Sequence, residues 1–390
     1  MIPVAEALER VLALATPLEI ERVPLAVAAG RVLAEPVVAQ RMQPPFAASA
    51  MDGYAVRAAD VVQGARLSLI GEAPAGRAFG GTVGVGQAVR IFTGAVLPDG
   101  ADMVVIQENT ARDGDTVTIT DPDKHSDNIR PAGGDFRPGD RIEAPRLLSP
   151  GDVALAAAMN QPELAVRRRP VVALLATGDE LVMPGENPRA DQIVASNSFG
   201  LKAMIEAAGG EARMLPIARD TEASLRATFR LAEGADLIVT IGGASVGDHD
   251  LVGAVAGELG MERSFYKVAM RPGKPLMAGR IAGTAMIGLP GNPVSSMVCG
   301  HIFILPALRA LLGLGKVPAP RRRAVLGCDL PANGPREHFM RARLEDGVVT
   351  PFDSQDSALL TILARANALL VRPVADGPRQ AGESVEILPL

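Results

Sequence analysis

Two three-arginine runs, Arg167–Arg169 and Arg321–Arg323, bracket a stretch in which short apolar runs alternate with longer runs of helical period. The pattern reads strand 171–176, helix 198–208, strand 213–218, helix 221–233, strand 236–241, helix 250–258, strand 264–269, strand 284–289 and helix 293–312. Strands separated by helices need crossover connections, which set them parallel and lay helices on the sheet. Residues 169–316 are therefore predicted to form a layered α/β unit with a parallel-type sheet, whose ligands sit at the carboxyl ends of the strands. The arginine runs, each next to proline, mark solvated boundaries.

A chain of 390 residues exceeds one core, and outside the bracket its texture changes. Val4 to Ala15 has helical apolar spacing with Glu6, Glu9 and Arg10 opposite, followed by a short helix and an extended run to Gln40. From residue 41 to 138, β-rich pieces are punctuated by Gly and Pro, predicting a small inserted β domain. After Arg323, runs 324–330, 338–344, 347–352 and 383–388 predict a closed, barrel-like β unit. The expected division is 1–40 with 139–168 as a helical and extended linking domain, 41–138, 169–316, and 317–390.

Net charge of −5 and 3% aromatic residues without Trp give no global attraction to nucleic acid and no stacking surface for it. Met1 to Glu6 lacks the order of a signal peptide, and Met297 to Leu312, broken by His301, Pro306 and Arg309, reads as a buried helix rather than a membrane span. A cytoplasmic location is expected. Cys299 and Cys328 make neither a disulfide framework nor a zinc site.

Any anion site must be local, and Gly288-Leu-Pro-Gly-Asn-Pro-Val-Ser-Ser296 is a candidate. Asn292 suits an N-cap, Pro293 suits the first helical position, and Ser295 adds a hydroxyl, so free N–H groups could face an oxyanion above Gly291. An unliganded strand-to-helix turn fits the same residues. Loops after strands 171–176 and 236–241 bring Asp179, Glu180, Asp248 and Asp250 toward the same crevice, and Asp220 joins them. Magnesium takes one or two carboxylates with water and phosphate oxygens, while Asp220 and Asp250 equally suit helix capping. Two of only five lysines, Lys267 and Lys274, flank Arg271 around a Pro-Gly turn, an arrangement suited to clamping phosphate. Loops holding Asp52, Thr93 and Asp135, and the tail residues Arg341 and Ser357, are polar positions that local reasoning leaves as turns or surface. The histidines have no metal spacing, and nucleophilic catalysis has no support.

Six motifs in order nevertheless resemble one family. They are Ser49-Ala-Met-Asp-Gly-Tyr-Ala55, Arg90-Ile-Phe-Thr-Gly94, Thr177-Gly-Asp-Glu-Leu181, Gly242-Gly-Ala-Ser-Val-Gly247, Arg271-Pro-Gly-Lys-Pro275 and Gly288-Leu-Pro-Gly-Asn-Pro293. The chain resembles the molybdopterin molybdenumtransferases, the MoeA family, related to the E domains of plant Cnx1 and of gephyrin. The resemblance implies a MogA-like central domain that binds molybdopterin, and magnesium-dependent insertion of molybdenum from molybdate into adenylylated molybdopterin with release of AMP. It also implies a homodimer held through the linking domain, with Asp52, Thr93 and Asp135 acting across the interface, and transient contact with a MogA-like adenylyltransferase and other proteins of the pathway. It assigns catalytic roles to Glu180, Lys267 and Lys274 as well. Asp179, Ser245, Arg271, Gly291, Asn292, Pro293, Ser295, Arg341 and Ser357 match binding positions, and Glu180, Asp220 and Asp250 match metal positions. Ala47-Ala48 replaces a polar pair of many relatives, and Arg271 stands where some have Lys. A scaffold of the gephyrin type, a tungsten-inserting relative and an adenylylating relative are the alternatives.

Overall fold

The computed structural model describes residues 1–123, 125–243 and 251–390. Its central sheet has six strands in the spatial order Glu211–Met214, Val171–Ala176, Leu237–Ile241, Thr284–Leu289, Met277–Ile281 and Glu262–Tyr266. The first four run parallel. Met277–Ile281 runs antiparallel to both of its neighbours, Thr284–Leu289 and Glu262–Tyr266, so the sheet is mixed rather than wholly parallel. The cause is local: Ala282 and Gly283 both have positive φ, 47° and 86°, and this two-residue turn joins Met277–Ile281 to Thr284–Leu289 as a hairpin. Strand Met277–Ile281 escapes a periodicity reading because Gly279 and Arg280 dilute its apolar run.

Helices Asn197–Ala207, Glu222–Leu231 and Leu251–Glu258 cover the sheet together with a long helical run from Pro293 to Leu311. That run contains a π-helical turn at Gly300–Ile304 just before Pro306, whose missing N–H breaks the regular ladder. At 19 residues it is long and apolar enough to cross a membrane by composition, but 78% of its apolar window is buried in the core. The N-terminal helix Val4–Leu14 lays Val4, Leu8, Val11 and Leu12 into that same core.

Further cores lie toward the N-terminal side. Val23, Leu33, Phe136, Leu148 and Leu164 form one, joining strands before residue 40 to those after 140. Around Tyr54, Val56, Leu67 and Val117, a six-stranded sheet of residues 53–119 forms another. The C-terminal sheet closes on itself because strand Ala368–Arg372 pairs with both Glu337–Glu345 and Ser384–Pro389. This barrel borrows a strand: Met270–Arg271 leaves the central unit and pairs in parallel with Glu337 and His338. The expected strand 264–269 is thus cut at Tyr266, where Lys267 turns the chain with φ 70°.

The arginine run at 167–169 is a clasp rather than a solvated boundary. Arg168 donates two hydrogen bonds to Asp236, at 2.9 and 2.7 Å, and one to Glu19 at 3.1 Å. Arg167 donates to the Leu18 carbonyl at 2.7 Å. Charges placed for solvent instead tie the extended N-terminal segment to the foot of the central sheet.

Candidate active site

A cleft of about 1020 Å³ opens at the carboxyl ends of strands Val171–Ala176, Leu237–Ile241 and Thr284–Leu289, where a parallel sheet leaves room for ligand. Thr177, Glu180, Asp220, Gly291, Asn292 and Pro293 are among its walls. Of the candidate residues, Ser245 and Asp250, with Asp248 and His249, lie outside the described residues.

The acidic wall is organised by hydrogen bonds that sequence spacing does not show. Helix Glu222–Leu231 is capped by Thr221, whose side chain accepts from the Ser224 N–H. Asp220 is therefore released from capping. Its Oδ1 accepts instead from the Thr177 hydroxyl at 2.9 Å, and its N–H donates to Asp179 Oδ1 at 3.3 Å. Arg219 fastens the facing loop by donating to the carbonyls of Asp179 and Leu181, at 3.2 and 3.4 Å. Glu180 and Asp220 thus share one cleft. Among the described residues no group of three His, Cys, Asp or Glu side chains is arranged to hold an ion. Two carboxylates in one open cleft nevertheless fit magnesium, which keeps several waters and takes few protein ligands.

The 288–296 segment differs from an open helix N-terminus. Asn292 occupies the N-cap position but makes no side-chain cap; its Nδ2 donates to Ser357 Oγ at 3.1 Å. Pro293 has no N–H, and the Val294 N–H donates to the Ser357 carbonyl at 3.0 Å. The C-terminal barrel has therefore taken up the first donor of this helix. Ser295 is 3% exposed and is not among the cleft walls. Asn197, the first residue of helix Asn197–Ala207 and one that the sequence does not single out, donates to the Gly291 carbonyl at 2.8 Å and fixes the turn.

The loop that docks on this helix is held from behind by Arg341. Its Nη2 donates to the Asp356 carbonyl at 3.0 Å, while Gln355 bonds the Arg341 main chain on both sides. Arg341 is fully buried, yet its Nε and Nη1 have no hydrogen-bond partner among the described residues. Burial, and then the nearby Arg271, hold this guanidinium below its ordinary pKa, against a smaller opposing pull from Asp356. Lys274 is exposed, and its neighbour Pro275 lines the cleft. Arg271 is also exposed, at the end of the strand shared with the barrel. Lys267 sits at the positive-φ turn with its ammonium 5.0 Å from the Tyr266 ring centroid.

The β-domain residues stand apart: Asp52, Thr93 and Asp135 are not among the walls of this cleft in their own chain. Asp52 Oδ1 accepts from both the N–H and the hydroxyl of Thr93, at 2.8 and 2.9 Å. Those bonds, the main-chain one first, then the hydroxyl and the charge of Arg90, hold the Asp52 carboxyl below its usual pKa. Asp135 is exposed at the end of its loop.

With fold and site in view, three family models cover nearly the whole chain: the MoeA N-terminal region, domains I and II, at residues 2–160; a probable molybdopterin binding domain at 173–310; and the MoeA C-terminal region, domain IV, at 323–390. A molybdopterin molybdenumtransferase from Nostoc sp. is 37% identical, covering 95% of this chain and 88% of its own. One from Haemophilus influenzae is 35% identical over 96% and 94%. A crystal structure of a molybdopterin biosynthesis MoeA protein from Pyrococcus horikoshii superposes with a TM-score of 0.83 at 31% identity, covering 100% of this chain and 99% of that one. The chain belongs to the MoeA family of molybdopterin molybdenumtransferases, enzymes of molybdenum cofactor biosynthesis.

Proposed function

We propose that this enzyme inserts molybdenum from molybdate into adenylylated molybdopterin, releasing AMP, and that it does so as a homodimer with magnesium. The observation that carries the reading is Arg341: a fully buried guanidinium with two unpartnered nitrogens, bonded to the loop whose Ala358 lines the cleft. A buried cation with unmatched donors is stabilised by an anionic guest, and molybdate and phosphate both supply the oxygens. Lys274 and Arg271 add positive charge of the same sign near the cleft, and Ser357 and Asn292 add polar groups. Asp179, Ser245, Gly291, Pro293 and Ser295 complete the proposed binding set.

Glu180 and Asp220, with Asp250, would hold the magnesium; bound there it neutralises charge on the phosphoanhydride. The chain's own residues do the positioning. Thr177 orients Asp220, Asn197 fixes the Gly291 turn, and Lys267 and Lys274 offset charge on the phosphate oxygens. No protein nucleophile is needed. Asp52, Thr93 and Asp135 do not line the cleft of their own chain; in this reading they serve the cleft of the partner subunit, which is why dimerisation belongs to it.

The test is to mix purified protein with adenylylated molybdopterin, molybdate and magnesium and follow AMP. Release that needs both molybdate and magnesium is expected. Its absence, under conditions where the Haemophilus influenzae relative turns over, refutes the reading.

A further inference from the structure

Asp52 is held unusually well for a partly exposed carboxylate. Thr93 takes one of its oxygens with two donors, and Oδ2 has no hydrogen-bond partner among the described residues. The chain around it is equally constrained. A Cβ on Gly53 would lie 2.0 Å from the Val105 carbonyl oxygen, so this strand end can pass only as glycine. The Asp52 carbonyl accepts from the Gln107 N–H at 3.1 Å.

Both flanking segments converge on one side chain. Arg90 stands opposite Tyr54 across the strand pair Gly53–Val56 and Gln87–Ile91. Its Nη1 donates to the Gly53 carbonyl at 3.0 Å and its Nη2 to Gln107 Oε1 at 2.8 Å. Its guanidinium lies 5.1 Å from the Tyr54 ring centroid and 4.8 Å from that of Phe92, one residue before Thr93. Arg90 therefore touches Gly53 after Asp52, Phe92 before Thr93, and Gln107 on the main chain of Asp52. Among the described residues it has no salt bridge. A planar fork wedged between rings and donating in two directions can brace three segments at once, which a single-point ammonium cannot.

We propose that Arg90 is a positioning residue for Asp52, bracing the three segments that hold the Asp52–Thr93 pair so that one carboxylate oxygen is presented in a fixed direction. This rests on the reading above that Asp52 serves the reaction. Misdirecting a reacting-site group by about 1 Å is enough to lower turnover roughly a hundredfold without abolishing binding.

The full-length variants Arg90→Gln, Arg90→Lys and Asp52→Asn are compared with wild type by AMP-release kinetics, and Arg90→Gln is also crystallised. We expect kcat of Arg90→Gln to fall about tenfold or more with KM for adenylylated molybdopterin within about twofold, the signature of a lost transition-state alignment. Arg90→Lys should recover little of this, and the crystal should show Asp52 detached from Thr93 or in more than one rotamer. Full rescue by lysine, or an Asp52 that keeps both Thr93 bonds in a single orientation in Arg90→Gln, overturns the positioning role. Wild-type turnover by Asp52→Asn instead overturns the reading of Asp52 itself, whatever the crystal shows.

Discussion

Replacing Arg341 with methionine should make the ligand-free protein more stable and the site blind to oxyanions. Two guanidinium nitrogens of this fully buried side chain are unpartnered, and each unmatched buried donor costs about 1–3 kcal/mol. Methionine has similar reach and no donors, so the Arg341→Met change removes that cost of about 2–6 kcal/mol. It also forfeits the 3.0 Å bond to the Asp356 carbonyl, a charged hydrogen bond worth about 1.5–3 kcal/mol. Taken at the middle of both ranges the balance favours methionine by about 2 kcal/mol, within the range found when buried charges give way to apolar side chains. At about 2–4 °C per kcal/mol, a balance of about 2 kcal/mol should raise the melting temperature by roughly 4–8 °C. Molybdate should do the reverse, stabilising wild type by about 2.7 kcal/mol at a hundred times its Kd and leaving the variant unmoved. Differential scanning calorimetry with and without molybdate reads both effects. A variant that melts lower than wild type without anion, and shifts equally with it, refutes the reasoning.

Burial, followed by the charges of Arg271, Arg341, Arg336 and Arg372, pushes His338 down to about 4, and burial alone does the same to His301. Both are bases with folded pKa values below the unfolded one, so the unfolded state binds more protons; stability is full above pH 6.5 and falls as pH drops toward 4. Each contributes a slope of up to about 1.4 kcal/mol per pH unit in that window, and His338→Gln should flatten it in denaturant titrations at pH 7, 6 and 5. An unchanged slope would show that His338 is protonated in the fold. Gly53→Ala should destabilise the β domain by about 3 kcal/mol, because the new methyl meets the Val105 carbonyl; a urea midpoint equal to wild type would contradict this close approach. Thr177→Val removes the hydroxyl that orients Asp220, and the magnesium concentration for half-maximal AMP release should rise about tenfold. An unmoved magnesium curve would show that Asp220 does not hold the ion.

The sequence by itself determined the layered α/β unit, the barrel-like tail and the β-rich insert, because each rests on local hydrophobic period and on Gly and Pro at the turns. It also determined the family, through six motifs in order. What it could not determine are contacts between residues far apart in the chain. Asp220 read equally as a helix cap or a metal ligand, and only the structure, in which Thr221 takes the cap, removes the first of these. Asn292 read as a cap, and its helix as either an anion seat or a plain turn; only the structure shows that Ser357, 65 residues on, takes the side chain and the first N–H. Arg341 read as a surface residue because charge predicts exposure; its complete burial depends on how the barrel docks against the central core. Period and turn chemistry act over a few residues and survive in the sequence alone. The balance between a satisfied and an unsatisfied polar group depends on what tertiary packing brings to it, and that balance is where this protein's chemistry lies.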